Sequence, residues 1–209
     1  MKIDLSGKKR IVIKLGTSTL THESGLLNIR KIENLVKCLA DLQNSGRQLI
    51  IVSSGAVGCG LAKLGLAGKL LTTVEKQACA AVGQCELIDI YDRNFSLYGH
   101  KIAQVLMNKD VIDNEPRRDS ARSTMNMLIS FGCIPIVNEN DTLSNEQITF
   151  GSNDTLAASV ARLTSADLII NMSDIDGLYD KNPRIYSDAN LIEYIPEIND
   201  TIRSYAGGA

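Results

Sequence analysis

Short apolar runs alternate with longer stretches of helical periodicity along the chain. Five of the runs are bounded by polar or turn-forming residues, and we interpret them as strands: RIVIKL (10–15), QLIIVS (48–53), KIAQVLM (101–107), GCIPIVN (132–138) and DLIINM (167–172). Continuous apolar runs of this length are typical of strands that are covered on both faces, as in parallel sheets.

Helical patterns fill the intervals between these strands. The interval after the first strand has apolar residues at helical spacing, with Asn28 as a predicted N-cap and Gly46 as a predicted stop. Residues 73–98, residues 116–131 and the segment starting at Asn153 also follow helical patterns. The alternation predicts one α/β domain over residues 1–209, with an open, mostly parallel central sheet sandwiched by helices. The turn-rich stretch NENDTLSNEQITFG (138–151) predicts a small antiparallel element that interrupts this pattern.

Composition narrows the class of protein. The net charge is −2 and there is no tryptophan, which argues against nucleic-acid binding through basic patches or aromatic stacking. No uncharged apolar run approaches the ~18 residues of a membrane span. The five cysteines form no Cys-x-x-Cys pair and there are two histidines, so we expect reduced, mostly buried thiols in a cytoplasmic protein without a metal site.

Four loops that follow predicted strands are candidates for a ligand site, because open α/β sheets bind ligands at the carboxyl ends of their strands. These loops are rich in small or polar residues and comprise residues 16–18, 54–58, 139–141 and 173–177. Lys14 precedes the first of them from within an apolar run. Its ammonium either extends to water along the strand end or holds the oxygens of a phosphate group.

The other loops carry equally ambiguous signals. Ser54 is either an N-cap or a donor at an anion site, and Asn153 with Asp154 either caps the following helix or faces a ligand. Asp141 belongs to a cluster of two carboxylates and two amides, which suits either a surface turn or a ligand with an ammonium and a carboxylate group. The acidic loop at Ser173 either binds Mg²⁺, frames a nucleotide or is solvated. Together the loops describe a kinase-like pocket.

Six motifs, in this order, resemble those of the glutamate 5-kinase family of the amino acid kinase superfamily: KLGTSTL, VSSGAVGCG, KQACAAVGQ, PIVNENDT, FGSNDTLAA and SDIDGLYDKNPR. The resemblance runs from about residue 8 to the end of the chain. It implies the amino acid kinase fold and transfer of the γ-phosphoryl group of ATP, bound with Mg²⁺, to the γ-carboxylate of L-glutamate. That reaction is the first step of proline biosynthesis.

The resemblance also implies roles for individual residues. Lys14 would hold the transferring phosphoryl group, and Asp154 would position the lysine. The resemblance assigns glutamate binding to Ser54, Asp141 and Asn153, and ATP binding to Lys14, Ser173 and Asp174. It further implies a cytoplasmic homo-oligomer, with proline as a feedback inhibitor and no nucleic-acid or membrane partner.

The chain departs from the family pattern in two places. Ser152 stands where the family often has an acidic residue, and the chain ends at Ala209, where a Gly-Thr-Gly-Gly-Met loop and a second catalytic lysine are expected. We therefore expect a chain truncated at its C-terminus. Two alternatives stay open: a non-catalytic glutamate or proline sensor on the same fold, and an enzyme resembling acetylglutamate kinase.

Overall fold

The five predicted strands all form in the structure, a computed structural model that describes residues 4–22, 26–143 and 152–206. The strands are β1 (Arg10–Leu15), β2 (Gln48–Ser53), β3 (Ile102–Met107), β4 (Ile134–Glu139) and β5 (Leu168–Met172). They pair in the order β3-β4-β2-β1-β5, and every pair is parallel. The predicted open parallel sheet is confirmed. The small antiparallel element depended on residues 144–151, which lie outside the described residues.

Eight helices occur in the described residues. They are α1 (Thr17–Leu20), α2 (Ile29–Asn44), α3 (Ala56–Lys63), α4 (Thr73–Ser96), α5 (Lys109–Asp113), α6 (Glu115–Ser130), α7 (Asn153–Thr164) and α8 (Asp200–Ala206). The predicted helices correspond to α2, α4, α6 and α7. The short helices α1, α5 and α8 are too brief to show a periodic apolar face, so the sequence pattern did not predict them.

The predicted ends of α2 are confirmed. The side chain of Asn28 accepts a hydrogen bond from the backbone N–H of Lys31 at 3.1 Å. After the helix, Gly46 has a φ of +90°, a left-handed conformation that glycine adopts without steric penalty. Local capping therefore sets where the chain enters and leaves this helix.

Two apolar layers cover the two faces of the sheet. Alternate residues of β1 point to opposite faces, so Ile11, Ile13 and Leu15 join a core with α2 and α4, whereas Val12 joins a core with α6 and α7. Lys14 shares the alternation of Val12 and thus faces the α7 side. This position decides which side chains its ammonium can reach.

Helices α3 and α4 cross at two glycines without intervening side chains. A Cβ atom added to Gly60 would lie 1.8 Å from the carbonyl oxygen of Cys79, and one added to Gly83 would lie 1.8 Å from that of Ala56. The two backbones are therefore as close as glycine allows, and this fixes where the α4 residue Gln84 lies against the sheet.

The chain divides into two compact units, Met1–Met172 and Ser173–Ala209. The first contains the sheet and seven helices of the described chain. In the second, Tyr179 and Leu191 form an antiparallel bridge, and α8 follows. The assignment of residues 1–209 to a single domain stays a prediction.

All five cysteines are unpaired in the structure. Cys59 and Cys79 are buried, but Cys38 and Cys85 are exposed and Cys133 is half-buried, so the expectation of mostly buried thiols was wrong. Exposed cysteines on α2 and α4 lie on helix faces turned away from the core. None of the helices in the described part of the chain combines the length and apolar composition that crossing a bilayer requires.

Candidate active site

Lys14 forms an ion pair at the carboxyl end of the sheet. Its Nζ lies 3.1 Å from Oδ1 of Asp154, and its side chain is 13% exposed, compared with 54% for that of Asp154. Asn171, the register partner of Lys14 on β5, donates a hydrogen bond from Nδ2 to the same Oδ1 at 2.9 Å. The lysine therefore does not extend to water. It is held beside a carboxylate whose own position is fixed by an amide.

The start of α7 delivers two polar side chains to this site. Ser152 is the N-cap, because its side chain accepts from the backbone N–H of Thr155. Capping by Ser152 leaves Asn153 and Asp154 free to face the sheet edge, so the capping role considered for them from the sequence was wrong. The positive end of the helix dipole also favours the Asp154 carboxylate in the first turn.

A chain of hydrogen bonds joins four side chains across the sheet edge. Nδ2 of Asn153 donates to Oγ of Ser54 at 2.7 Å and to Oδ1 of Asn138 at 3.3 Å. Nδ2 of Asn138 in turn donates to Oε1 of Gln84 at 2.9 Å. These side chains come from the loop after β2, from α7, from β4 and from α4. Their bonds hold them in one continuous polar row.

The turn after β2 presents Ser54 to this row. Gly55 is the N-cap of α3 with a φ of +106°, and no side chain caps the helix. Ser54 is therefore not an N-cap, and its hydroxyl is available to Asn153. The neighbouring Ser53 is buried and bonds the hydroxyl of Tyr91 at 2.8 Å, which anchors the turn to α4.

A cavity of about 190 Å³, which we call the Ser54 cavity, opens among these residues. Its lining includes the three residues predicted to bind glutamate, Ser54, Asp141 and Asn153. Thr17, Gly55 and Gly58 also line the Ser54 cavity. Because glycine has no side chain, the backbone amides of Gly55 and Gly58 are not shielded from the cavity. The structure thus brings the predicted substrate residues together around one cavity.

Asp141 also borders a second cavity of about 230 Å³, which we call the Asp141 cavity. Burial, and secondarily the charge of Glu139, raise the pKa of the Asp141 carboxyl to about 6. A carboxylate that is disfavoured in this way is stabilised when a cation arrives beside it. The arrangement suits an ammonium group between the two cavities.

Ser173 and Asp174 belong to the second unit and are described within it. The hydroxyl of Ser173 donates to Oδ1 of Asp174 at 3.4 Å, and Arg184 forms an ion pair with the same carboxylate. The hydrogen bond from Arg184 holds the pKa of Asp174 below its ordinary value. The role of these residues in nucleotide binding stays a prediction.

Sequence reasoning missed three residues of the site. Gln84 lies in the middle of a predicted helix, and nothing in the helical pattern marks it as facing the sheet edge. Asn171 carried a usable signal, since it is an amide inside the apolar run DLIINM, but its register with Lys14 is visible only in the structure. Thr17 lies in the glycine loop after Lys14 but was not singled out.

Comparison with known proteins identifies sequence relatives over nearly the whole chain. Residues 9–209 match the model of the amino acid kinase family. The chain is similar to a glutamate 5-kinase of Clostridium acetobutylicum, at 49% identity over 98% of this chain and 77% of the relative. A glutamate 5-kinase of Clostridium perfringens is 46% identical over 100% of this chain and 79% of its own length. For a 49% identical glutamate 5-kinase of Caldanaerobacter subterraneus, the match spans 54% of the relative.

Solved structures agree with the fold. A UMP kinase from Ureaplasma parvum superposes with a TM-score of 0.62 at 15% identity, over 95% of this chain and 85% of that chain. An isopentenyl phosphate kinase gives a TM-score of 0.65 at 15% identity, over 95% and 83% of the two chains. At this identity the likeness concerns the fold alone, and it confirms the predicted fold class.

Proposed function

Because this chain belongs to the amino acid kinase family, and within it to the glutamate 5-kinases, we propose that it phosphorylates the γ-carboxylate of L-glutamate with ATP. The product is glutamate 5-phosphate, the first intermediate of proline biosynthesis. One observation carries the proposal: the Lys14–Asp154 ion pair lies at the same sheet edge as a cavity lined by Ser54, Asp141 and Asn153.

The proposed reaction places one oxygen of the γ-carboxylate in line with the γ-phosphorus of ATP. The new O–P bond forms as the bond from phosphorus to the bridging β,γ-oxygen breaks, and ADP leaves with that electron pair. The acceptor carboxyl is already ionised at neutral pH, so no general base is needed. Catalysis of such a transfer depends on positioning and on stabilising the charge of the phosphoryl oxygens.

Lys14 supplies that charge stabilisation in the proposal. Its ammonium is held by Asp154, and Asn171 in turn fixes the Asp154 oxygen that accepts from Lys14. A charge that is already in place when the reaction begins needs no reorganisation during it, which is the condition for efficient electrostatic catalysis. Asp154 and Asn171 therefore act as positioning residues for the lysine.

Ser54, Asp141 and Asn153 bind the amino acid in the proposal. The Ser54 hydroxyl accepts from Nδ2 of Asn153 and therefore directs its own hydrogen to a ligand carboxylate, and Asp141 offers a carboxylate to the ammonium. The raised pKa of Asp141 supports this assignment, because a ligand ammonium would offset both the burial and the charge of Glu139.

The nucleotide is assigned to Lys14, Ser173 and Asp174, and Mg²⁺ arrives bound to its phosphates. The described residues contain no group of three acidic, cysteine or histidine side chains arranged to hold a metal ion. An Mg²⁺ ion bound with ATP would take most of its ligands from phosphate oxygens and water, as is usual for the ion. Family membership also supports a cytoplasmic homo-oligomer that proline inhibits.

The test is a coupled assay of ADP release with MgATP and L-glutamate, run beside trapping of the acyl phosphate with hydroxylamine. We expect glutamate-dependent ADP release and a matching yield of γ-glutamyl hydroxamate. N-acetyl-L-glutamate serves as the control acceptor, because its blocked amine cannot pair with Asp141. Equal or faster turnover of N-acetyl-L-glutamate would contradict the proposal, as would binding of L-glutamate without any binding of ATP.

A further inference from the structure

Gln84 has a buried donor with no partner among the described residues. The residue is 8% exposed and its side chain borders the Asp141 cavity. Within residues 4–22, 26–143 and 152–206, its Nε2 is the buried side-chain nitrogen or oxygen that makes no hydrogen bond. A buried N–H without an acceptor is destabilising, so its position at a cavity points to a bound ligand as its acceptor.

The direction of this donor is fixed by the backbone. Oδ1 of Asn138 accepts from the backbone N–H of Glu139 at 2.9 Å, so the Nδ2 of Asn138 must be the atom that faces Gln84. That Nδ2 donates to Oε1 of Gln84, also at 2.9 Å. If the nitrogen and oxygen of the Gln84 amide were exchanged, its NH₂ group would face the NH₂ group of Asn138, and neither could accept a hydrogen bond. The orientation with Nε2 as the free donor is therefore the stable one.

The order of the strands places this donor at the far end of the substrate row. Lys14 is the residue before the last of β1, Ser54 follows β2, and Asn138 is the residue before the last of β4, and these strands neighbour one another in that order. Neighbouring strands lie about 4.8 Å apart, so the row from β1 to β4 is roughly 10 Å long. This length accommodates the transferring phosphoryl group followed by an extended glutamate molecule.

The two ends of glutamate then have distinct surroundings. Its γ-carboxylate must lie toward Lys14 for the transfer, which directs the ammonium and the α-carboxylate toward β4. The Asp141 carboxylate is suited to the ammonium and unsuited to a second anion. Gln84 Nε2 is a buried donor at this cavity that carries no charge and has no acceptor among the described residues.

We propose that Gln84 is a specificity-determining residue, whose Nε2–H donates a hydrogen bond to the α-carboxylate of the acceptor amino acid. This inference rests on the proposed function and deepens it. It extends the amino-acid site from the Ser54 cavity into the Asp141 cavity. In this proposal, the hydrogen bonds from Asn153 to Asn138 and from Asn138 to Gln84 hold the Gln84 amide in the orientation that directs Nε2 to the ligand.

The experiment measures binding by calorimetry at pH 8, with L-glutamate and with 4-aminobutyrate, which lacks only the α-carboxylate. Gln84→Glu keeps an oxygen that accepts from Asn138 but replaces the donor, and Gln84→Met removes both functions. We expect either substitution to weaken L-glutamate binding roughly 10- to 100-fold, the size expected for a hydrogen bond to a charged group. Binding of 4-aminobutyrate should change little.

Gln104→Glu is the matched control. Gln104 is an exposed glutamine at the same cavity, so the substitution adds the same charge there without touching the row. Because Gln104→Glu adds the negative charge without removing the Nε2 donor of Gln84, we expect it to weaken L-glutamate binding less than Gln84→Glu does. Thermal unfolding of each variant identifies any that does not fold, and Gln84→Glu alone is sufficient to decide the outcome if Gln84→Met is unstable.

Two results would overturn the inference while leaving the proposed function intact. Unchanged glutamate affinity in both Gln84 variants would mean that water satisfies Nε2. Equal weakening of L-glutamate and 4-aminobutyrate would mean that Gln84 acts only by holding Asn138. If the unmodified protein binds no L-glutamate at all, the proposed function fails and this inference fails with it.

Discussion

Lys14 shows how much a single residue can reveal in a sequence and where its information ends. A lysine within an apolar run, two residues before a glycine, marks a phosphate site or a strand end, and the sequence does not separate the two. The structure separates them because the strand alternation turns Lys14 toward α7, whose first turn carries Asp154. Asn171 completes the pair from a neighbouring strand, and its role depends on a register that no local pattern gives.

Removal of the Lys14 ammonium should abolish phosphoryl transfer without unfolding the protein. In Lys14→Ala, Asp154 keeps its bond from Asn171 and is half-exposed to water, so no buried charge is left unpaired. We expect turnover in the ADP-release assay to fall on the order of 10²-fold or more, with unchanged thermal unfolding.

Lys63→Ala is the matched control for this substitution. Lys63 forms an exposed ion pair with Glu86, away from the sheet edge, so its loss should leave turnover unchanged. Normal turnover in Lys14→Ala would contradict the proposed role of the lysine.

Asp141 should make the stability of the free protein depend on pH. Its pKa is about 6 in the folded protein and near 3.9 in an unfolded chain, so between these values the folded state binds more protons. The free energy of unfolding contributed by Asp141 therefore falls as the pH rises from 4 to 6, and the loss is complete above 6.

Asp141→Asn should consequently stabilise the free protein at pH 7.5 and have little effect at pH 4. We expect a gain of about 1 kcal/mol at pH 7.5, after discounting the shift for partial exposure of the side chain. Urea unfolding of both proteins at the two pH values measures the difference. The same difference at both pH values would show that the charge of Asp141 is not responsible.

At the scale of elements, the sequence predicts what local chemistry controls. Apolar runs identified all five strands, and Asn28 with Gly46 identified the ends of α2. The close crossing of α3 and α4 was not predicted, since a glycine within a helical pattern gives no sign of the backbone that approaches it. Gln84 was missed for the same reason: its environment is set by that crossing.

The crossing predicts opposite effects for two substitutions on one helix. In Gly60→Ala the new Cβ would lie 1.8 Å from a backbone oxygen of α4, whereas in Gly58→Ala it would lie 3.9 Å from the Thr17 side chain, an ordinary contact. We expect Gly60→Ala to destabilise the protein by about 3 kcal/mol or more, because the backbone of α3 or α4 must move to make room for the new Cβ atom. Gly58→Ala should stabilise it by up to about 1 kcal/mol through helix propensity.

Urea unfolding measures both free energies, and Gly58→Ala controls for the change in helix propensity. Equal effects of the two substitutions would show that α3 and α4 separate without penalty. The position of Gln84 would then not depend on their contact.

At the scale of the whole molecule, the strand order creates the site. Residues 14, 54, 138 and 153 are far apart in sequence, and they meet because β1, β2 and β4 are neighbours and α7 packs beside them. The carboxyl-end rule predicted that these loops would share one edge of the sheet, but it could not give the order of the strands across it. That order determines which end of a bound amino acid meets Lys14 and which end meets Asp141.

The two substrates should therefore depend on different residues of the molecule. Asn153→Ala removes a donor from the Ser54 cavity, so we expect the KM for L-glutamate to rise roughly 10-fold or more while the KM for ATP stays within about twofold. Asp174→Asn changes the acidic loop of the second unit, and we expect the reverse pattern. Asp89→Asn breaks a comparable exposed ion pair with an arginine on α4 and should alter neither KM. Steady-state assays with each substrate varied at saturation of the other give all six KM values. If Asn153→Ala instead raised the KM for ATP, the amino acid and the nucleotide would have been assigned to the wrong loops.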